Sequence, residues 1–205
     1  MASYLPQQLA GRWQLLSAIG SGTQGETYVI KRTTSGHDDE AVLKVRKDSD
    51  GTSVARFTRE LAVLRQISHP NVIGILESDD SGSPEWFIMP RGTQFERWWK
   101  NKRDQLGDDP ARLFRCSADV VLGLLGGLCE LHNSGYTHRD VKPSNVVVID
   151  DRPVLIDLGI VHHAELEGLT DPNGAGNRFV TVSRSIPPSP KLDNLCLASL
   201  WINML

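Results

Sequence analysis

The sequence predicts an α+β fold in two parts: an antiparallel β-sheet with one main helix, then a mainly helical remainder. Three observations carry this. Five short segments before residue 91 read as strands, the second of them, ETYVIKRT, rich in β-branched and aromatic residues. Between the third and fourth of them, Val54, Phe57, Leu61, Leu64 and Ile67 recur every three or four positions. From about residue 93 to 132 the helical spacing dominates, and it returns at 191–205. The predicted domain covers 13–205, its first part about 13–90 and its second about 93–205.

Taken in order, WQLLSAI (13–19), ETYVIKRT (26–33) and AVLKVRK (41–47) read as three strands, and three in succession favour an antiparallel meander. Thr52 or Ser53 is suited to cap the helix that follows, and SHPN (68–71) ends it. VIGILES (72–78) and EWFIMP (85–90) read as two further strands around the loop DDSGSP. In the second part, LFRCSADVVLGLLGGLCELH (113–132) is one long apolar-striped helix. Its Gly123 and Gly127 predict close packing inside a buried helix. A polar loop, NSGYTHRDVKPSN, leads into the short strands NVVVID and PVLIDLG. Residues 162–191 read as loop, and KLDNLCLASLWINML as a final helix.

Bulk properties narrow the function classes. The 205 residues carry a net charge of −3, which argues against a general nucleic-acid grip, since that favours a basic face. A chain of this size buries roughly 70% of its unfolded surface and needs no metal or disulfide staple. Three cysteines, Cys116, Cys129 and Cys196, without a C-x-x-C, predict buried thiols in a reducing compartment. The first residues lack the basic and apolar regions of a signal peptide. The longest apolar run, 120–128, is too short to span a bilayer. The expectation is a cytoplasmic protein with no membrane segment and no nucleic-acid partner.

Chemistry concentrates in a few places. Gly20, Gly22 and Gly25 are spaced G-x-G-x-x-G. That spacing suits either a turn opening a helix that binds a dinucleotide or a flap between strands that covers nucleotide phosphates. Here a strand follows, which favours the flap. At ~100° per residue, Glu60 falls inside the apolar arc of its helix. A glutamate among core positions needs a cationic partner, and Lys44 on the neighbouring strand is the candidate. Asp140, Lys142, Asn145 and Asp157 lie within nineteen residues around one hairpin. A carboxylate there can orient a hydroxyl and accept its proton. A second carboxylate with an amide oxygen offers hard ligands for Mg²⁺, and a lysine can offset charge on a transferred phosphoryl group.

These pieces — IGSGTQG, AVLK, Glu60 in RELAVLRQISHPNVI, HRDVKPSN and DLG — resemble the eukaryotic-type protein kinase family, serine/threonine branch, in family order from 13 to about 160. The resemblance implies a two-lobe kinase fold whose helical lobe is incomplete. It implies ATP and Mg²⁺ as cofactors and a protein substrate. It places Ile19, Gly20, Gly22, Gly25, Thr27, Val42, Lys44 and Met89 around the nucleotide. Lys44 with Glu60, and Asp140 with Lys142, become catalytic residues, and Asn145 and Asp157 metal ligands. Asp193 resembles the aspartate of the central helix that anchors the catalytic loop.

The departures are Thr27 where the family has Val, Val42 where Ala is usual, and Leu158 in place of Phe in the metal-binding tripeptide. No A-P-E triplet follows, and the expectation is a kinase domain shortened at its C-terminal side. The shortening leaves a second reading, a catalytically impaired kinase fragment acting as a nucleotide- or partner-binding module; a third is a small-molecule phosphotransferase that shares the kinase core. Thr170, Thr181 and Ser183 are candidate phosphorylation positions, and Trp98 and Trp99 are expected to pack the helix after the hinge.

Overall fold

The structure is a computed structural model. It describes residue 6 and residues 9–21, 25–34, 37–47, 51–81, 85–159, 161–163 and 189–205. Gly22, Thr170, Thr181 and Ser183 lie outside the described residues. The chain divides into two compact units, residues 1–65 with 74–91, and residues 66–73 with 92–205.

The first unit is built on strands β1 (Gln14–Ser21), β2 (Gly25–Thr34) and β3 (His37–Arg46), helix α1 (Gly51–Gln66), and strands β4 (Glu77–Asp79) and β5 (Trp86–Pro90). The sheet runs β1-β2-β3-β5-β4, antiparallel throughout, with the first three strands in the predicted meander. Strand alternation sorts the side chains. Tyr28, Ile30, Ala41, Leu43, Val45, Trp86 and Ile88 fill one face, closed over by Leu9 and Trp13. The other face carries Val29, Val42, Lys44, Phe87 and Met89, as the pairings Val29↔Val42, Val42↔Met89 and Lys44↔Phe87 require. There Phe87 meets Phe57 of α1, ring centroids 5.4 Å apart and both rings fully buried. Each such burial contributes about 1.5–3 kcal/mol.

Two expectations are corrected here. The strand over 72–78 shrinks to Glu77–Asp79, because the backbone donors of this stretch diverge. Ile73 N–H goes to Leu155 O and Leu76 N–H to Ile88 O, while Val72 forms a lone parallel bridge to Leu155. Helix α1 starts at Gly51, which puts Thr52 and Ser53 inside its first turn and not at the cap.

The second unit contains β6 (Thr93–Gln94), α2 (Phe95–Leu106), α3 (Pro110–Asn133), β7 (Tyr136–Thr137), a 3₁₀ turn (Pro143–Asn145), β8 (Val146–Ile149), β9 (Arg152–Leu155), β10 (His162–His163) and α4 (Pro190–Ile202). β6, β8 and β9 form one small sheet, and β7 and β10 another. The helical stretch after 93 is two helices. Gly107 at φ +66° closes α2, and Asp109 caps α3 by accepting from Ala111 N–H (3.0 Å) and Arg112 N–H (3.2 Å). A side chain at Gly127 would meet Asn71 O at 2.8 Å, and one at Gly123 would meet the Asn71 amide at 2.9 Å. The close packing predicted for these glycines is therefore against segment 69–72. Trp99 is buried and stacks on Phe95, while Trp98 donates to the Asp151 carboxylate. The thiols differ from expectation. Cys196 is buried and Cys129 is exposed. Cys116 is half-buried, and burial pushes its thiol above the ordinary value. Among the described residues no helix is long and apolar enough to cross a membrane.

Candidate active site

In the first unit, the register aligns the nucleotide-contact candidates. Gly20 pairs with Thr27, Thr27 with Lys44, and Val42 with Met89. β1 carries two irregularities, between Leu15 and Ser17 and between Ala18 and Gly20. The second leaves Ile19 out of the pairing and 55% exposed. The two described glycines of the motif differ. A Cβ at Gly20 would meet nothing within 4 Å, whereas one at Gly25 would lie 2.5 Å from Val45 O. Gly25 is therefore a steric necessity of strand pairing.

Lys44 Nζ donates to Glu60 Oε2 at 2.5 Å. The carboxylate comes from the middle of α1, and both side chains are largely withdrawn from solvent, at 12% and 2% exposure. In so dry a setting each charge depends on the other. On the opposite face of β2, Tyr28 donates a short hydrogen bond to Glu26. Burial, reinforced by that neighbouring carboxylate, pushes the Tyr28 phenol up to about 12.

In the second unit, the loop after α3 is fixed by side chain-to-backbone bonds. Arg139 adopts φ +69°, a sparsely populated region for a residue with a side chain. Asp193, fully buried in the first turn of α4, holds it there: Oδ1 accepts from Arg139 N–H (2.7 Å) and Oδ2 from His138 N–H (2.8 Å). His132 Nε2 lies 2.8 Å from the same Oδ2. The buried His138 ring accepts from Asp140 N–H at Nδ1 (3.3 Å) and faces Ile156 O with Nε2 (3.3 Å).

Asp140 is thereby presented with its carboxylate already engaged on one side. Lys142 Nζ reaches Oδ2 at 2.6 Å and Asn145 Nδ2 reaches the same oxygen at 2.8 Å. The Asn145 amide also donates to Asp140 O at 2.9 Å. With its nitrogen spent on Asp140, the Asn145 side chain offers its oxygen to a ligand. The β8–β9 hairpin turns on Asp150 and Asp151, both at positive φ, as a two-residue turn of this kind requires. Its register pairs Val146 with Leu155, and Ile156 N–H bonds to Asn145 O at 3.0 Å. Asp157, at φ +64°, follows immediately. An amide oxygen and a carboxylate are hard donors of the sort Mg²⁺ takes. Among the described residues no group of three or more His, Cys, Asp or Glu side chains is arranged to hold a metal by itself.

Residues 13–179 match the family model described as protein kinase domain. The chain belongs to the protein kinase family. It is 33% identical over 170 residues to a probable serine/threonine-protein kinase PknB of Bifidobacterium longum, covering 78% of this chain and 24% of that protein. It is 31% identical over 170 residues to the serine/threonine-protein kinase AfsK of Streptomyces coelicolor, covering 80% and 20%. Against the mitogen-activated protein kinase p38b of Drosophila melanogaster it is 30% identical over 164 residues, covering 76% and 43%. The match spans about a quarter of the length of the bacterial PknB relatives.

Of the site candidates in this kinase domain, the first unit brings together Lys44 and Glu60, and aligns Thr27, Val42 and Met89 along paired strands. The second brings together Asp140, Lys142 and Asn145, with Asp157 one residue past the Ile156–Asn145 bond. His132 and the two contacts of the His138 ring are additions of the structure. For His132 the one available signal was a histidine in the last turn of a helix that leads into the HRD loop.

Proposed function

We propose that this chain transfers the γ-phosphoryl group of ATP to a serine or threonine hydroxyl of a protein substrate. The observation that carries the proposal is the asymmetric solvation of Asp140. Lys142 and Asn145 both donate to Oδ2, so Oδ1 is the oxygen available to an incoming hydroxyl. There it orients the nucleophile and takes its proton as the oxygen bonds to the γ-phosphorus and the bond to ADP breaks. Lys142, already beside the carboxylate, offsets charge on the group in transit. Lys44, held by Glu60, binds the α- and β-phosphates. Thr27, Val42 and Met89 line the adenine side, with Ile19 and the glycines of the flap over the nucleotide. Asn145 and Asp157 would hold Mg²⁺, which would neutralise phosphate charge that otherwise repels the nucleophile. Most of this is positioning and charge stabilisation. The names of the relatives, and Lys142 two residues after Asp140, support the serine/threonine assignment.

The test is phosphate transfer from labelled ATP to a protein acceptor by the full chain, alongside a thermal-shift titration with Mg-ATP. Transfer that falls by at least about 100-fold in Lys44→Met, Asp140→Asn and Asp157→Ala supports the roles. Retained transfer in any of the three removes that residue's assignment. Stabilisation by Mg-ATP without transfer in the unaltered chain favours the nucleotide-binding module instead.

A further inference from the structure

We infer that Phe87 is a positioning residue for Lys44, acting through the face of its aromatic ring; the inference rests on the proposed phosphoryl transfer. Lys44 and Phe87 are direct partners across β3 and β5, so their side chains leave the same face of the sheet as neighbours. The Lys44 ammonium lies over the Phe87 ring, 5.9 Å from its centroid. Phe87 is fully buried, and the Lys44 side chain is only 12% exposed. A cation against a ring face is attracted by the ring's quadrupole, and the attraction grows as water is removed.

Glu60 by itself does not fix the lysine. A lysine side chain is a point charge on a flexible four-carbon stem. One carboxylate oxygen at 2.5 Å sets a distance and leaves the ammonium several directions of approach. The ring supplies a second constraint, from β5. The same ring also meets the helix. Its centroid is 5.4 Å from that of Phe57, which stands three residues before Glu60 and so on the same face of α1. Phe87 therefore bears on both halves of the ion pair, on the lysine directly and on the glutamate through the helix that carries it. An aliphatic side chain could fill this space. What it could not supply is the electron-rich face under the ammonium. Loss of that face should weaken the hold of Lys44 on the α- and β-phosphates while the core stays packed.

The experiment uses the full chain with Phe87 replaced in turn by mono-, di- and trifluorinated phenylalanine. These keep the ring nearly the same size and drain its face of negative potential step by step. One readout is the dissociation constant for Mg-ATP. The other is the unfolding equilibrium in urea, in the parent and in a Lys44→Met background. Expected is a stepwise weakening of Mg-ATP binding, by roughly threefold to tenfold across the series. In the parent, the unfolding equilibrium should move toward the unfolded chain by a similar factor. In Lys44→Met, where no lysine faces the ring, it should move by less than about twofold. That background also carries whatever fluorine does to the contact with Phe57. Should Lys44→Met fail to fold, Lys44→Met combined with Glu60→Leu, which makes the pair apolar, takes its place. A Mg-ATP dissociation constant that stays level along the series overturns the inference, as does an unfolding shift that persists without the lysine. A parent chain that binds no Mg-ATP defeats the kinase reading, and the urea arm then decides on its own whether Lys44 depends on the Phe87 ring.

Discussion

Two regions of the molecule each hold a lysine against a carboxylate, by opposite means. In the sheet unit, Lys44 and Glu60 are sixteen residues apart, brought together by the packing of α1 on β3, and nearly dry. In the loop of the second unit, Lys142 and Asp140 are two residues apart, and the lysine is 30% exposed. The first pair is a product of the core, and the core needs it. The second is a product of local backbone shape, and Asn145 shares its carboxylate. The lesson is that one kind of contact can be sealed into a core in one place and left within reach of solvent in another, according to how far apart in the chain its partners lie and how many alternative donors surround it.

Stability measurements can break or sharpen this contrast. The largest effect is expected for Glu60→Ala, which removes the buried carboxylate that Lys44 bonds and should cost about 3–5 kcal/mol in urea unfolding. Lys142→Ala, by comparison, should cost within about 1 kcal/mol. Equal losses would erase the distinction. Next comes the back of the same sheet, where Tyr28 is held neutral. Its phenol is raised from the ordinary 10 to about 12, chiefly by burial. A raised folded-state value gives stability that is complete below pH 10 and disappears as pH climbs through about 12. The parent should thus lose on the order of 2 kcal/mol more than Tyr28→Phe between pH 9 and 12. Parallel alkaline profiles for the two would show the phenol to be as wet as a loop group. The smallest effect belongs to the exposed hairpin tip. The Trp98 indole bond, followed by Lys102, holds the Asp151 carboxyl below the usual range. A lowered value stabilises at neutral pH and is lost on acidification. Trp98→Phe should cost within about 0.5–1 kcal/mol at pH 7, and the difference should fade as the pH drops below the carboxylate range. A cost that persists in acid would mean that Trp98 matters by packing alone.

Legibility in the sequence followed the same divide. The strands of the first unit and the helix α1 announce themselves by alternation and by three-four spacing, and Glu60 stands out because its position on the wheel conflicts with its charge. The HRDVKPSN and DLG stretches were legible as chemistry because their residue types and close spacing have few other uses. Their shape was not. Nothing in the letters states that Arg139 and Asp157 adopt positive φ, since neither is glycine; long-range bonds from Asp193 impose the former. Two-residue strands such as Thr93–Gln94 and Tyr136–Thr137 carry no periodicity to read. The break between α2 and α3, by contrast, was written in Gly107, Asp109 and Pro110, and the apolar stripe around it drew attention away. The exposed Cys129 shows that a thiol's chemistry does not predict its face of a helix.

The contact at Gly127 has a mechanical corollary. The space a methyl group would take there belongs to the carbonyl of Asn71. That same carbonyl accepts from Leu155 N–H at 2.9 Å, and the Asn71 amide from across the seam donates to Pro153 O at 2.7 Å. A helix sliding by even one residue would drive a side chain into this main-chain oxygen and unzip the strand that delivers Asp157. The bare stretch of α3 thus works as an indexing notch, setting how far along its axis the helix may sit while Asp157 stays in place.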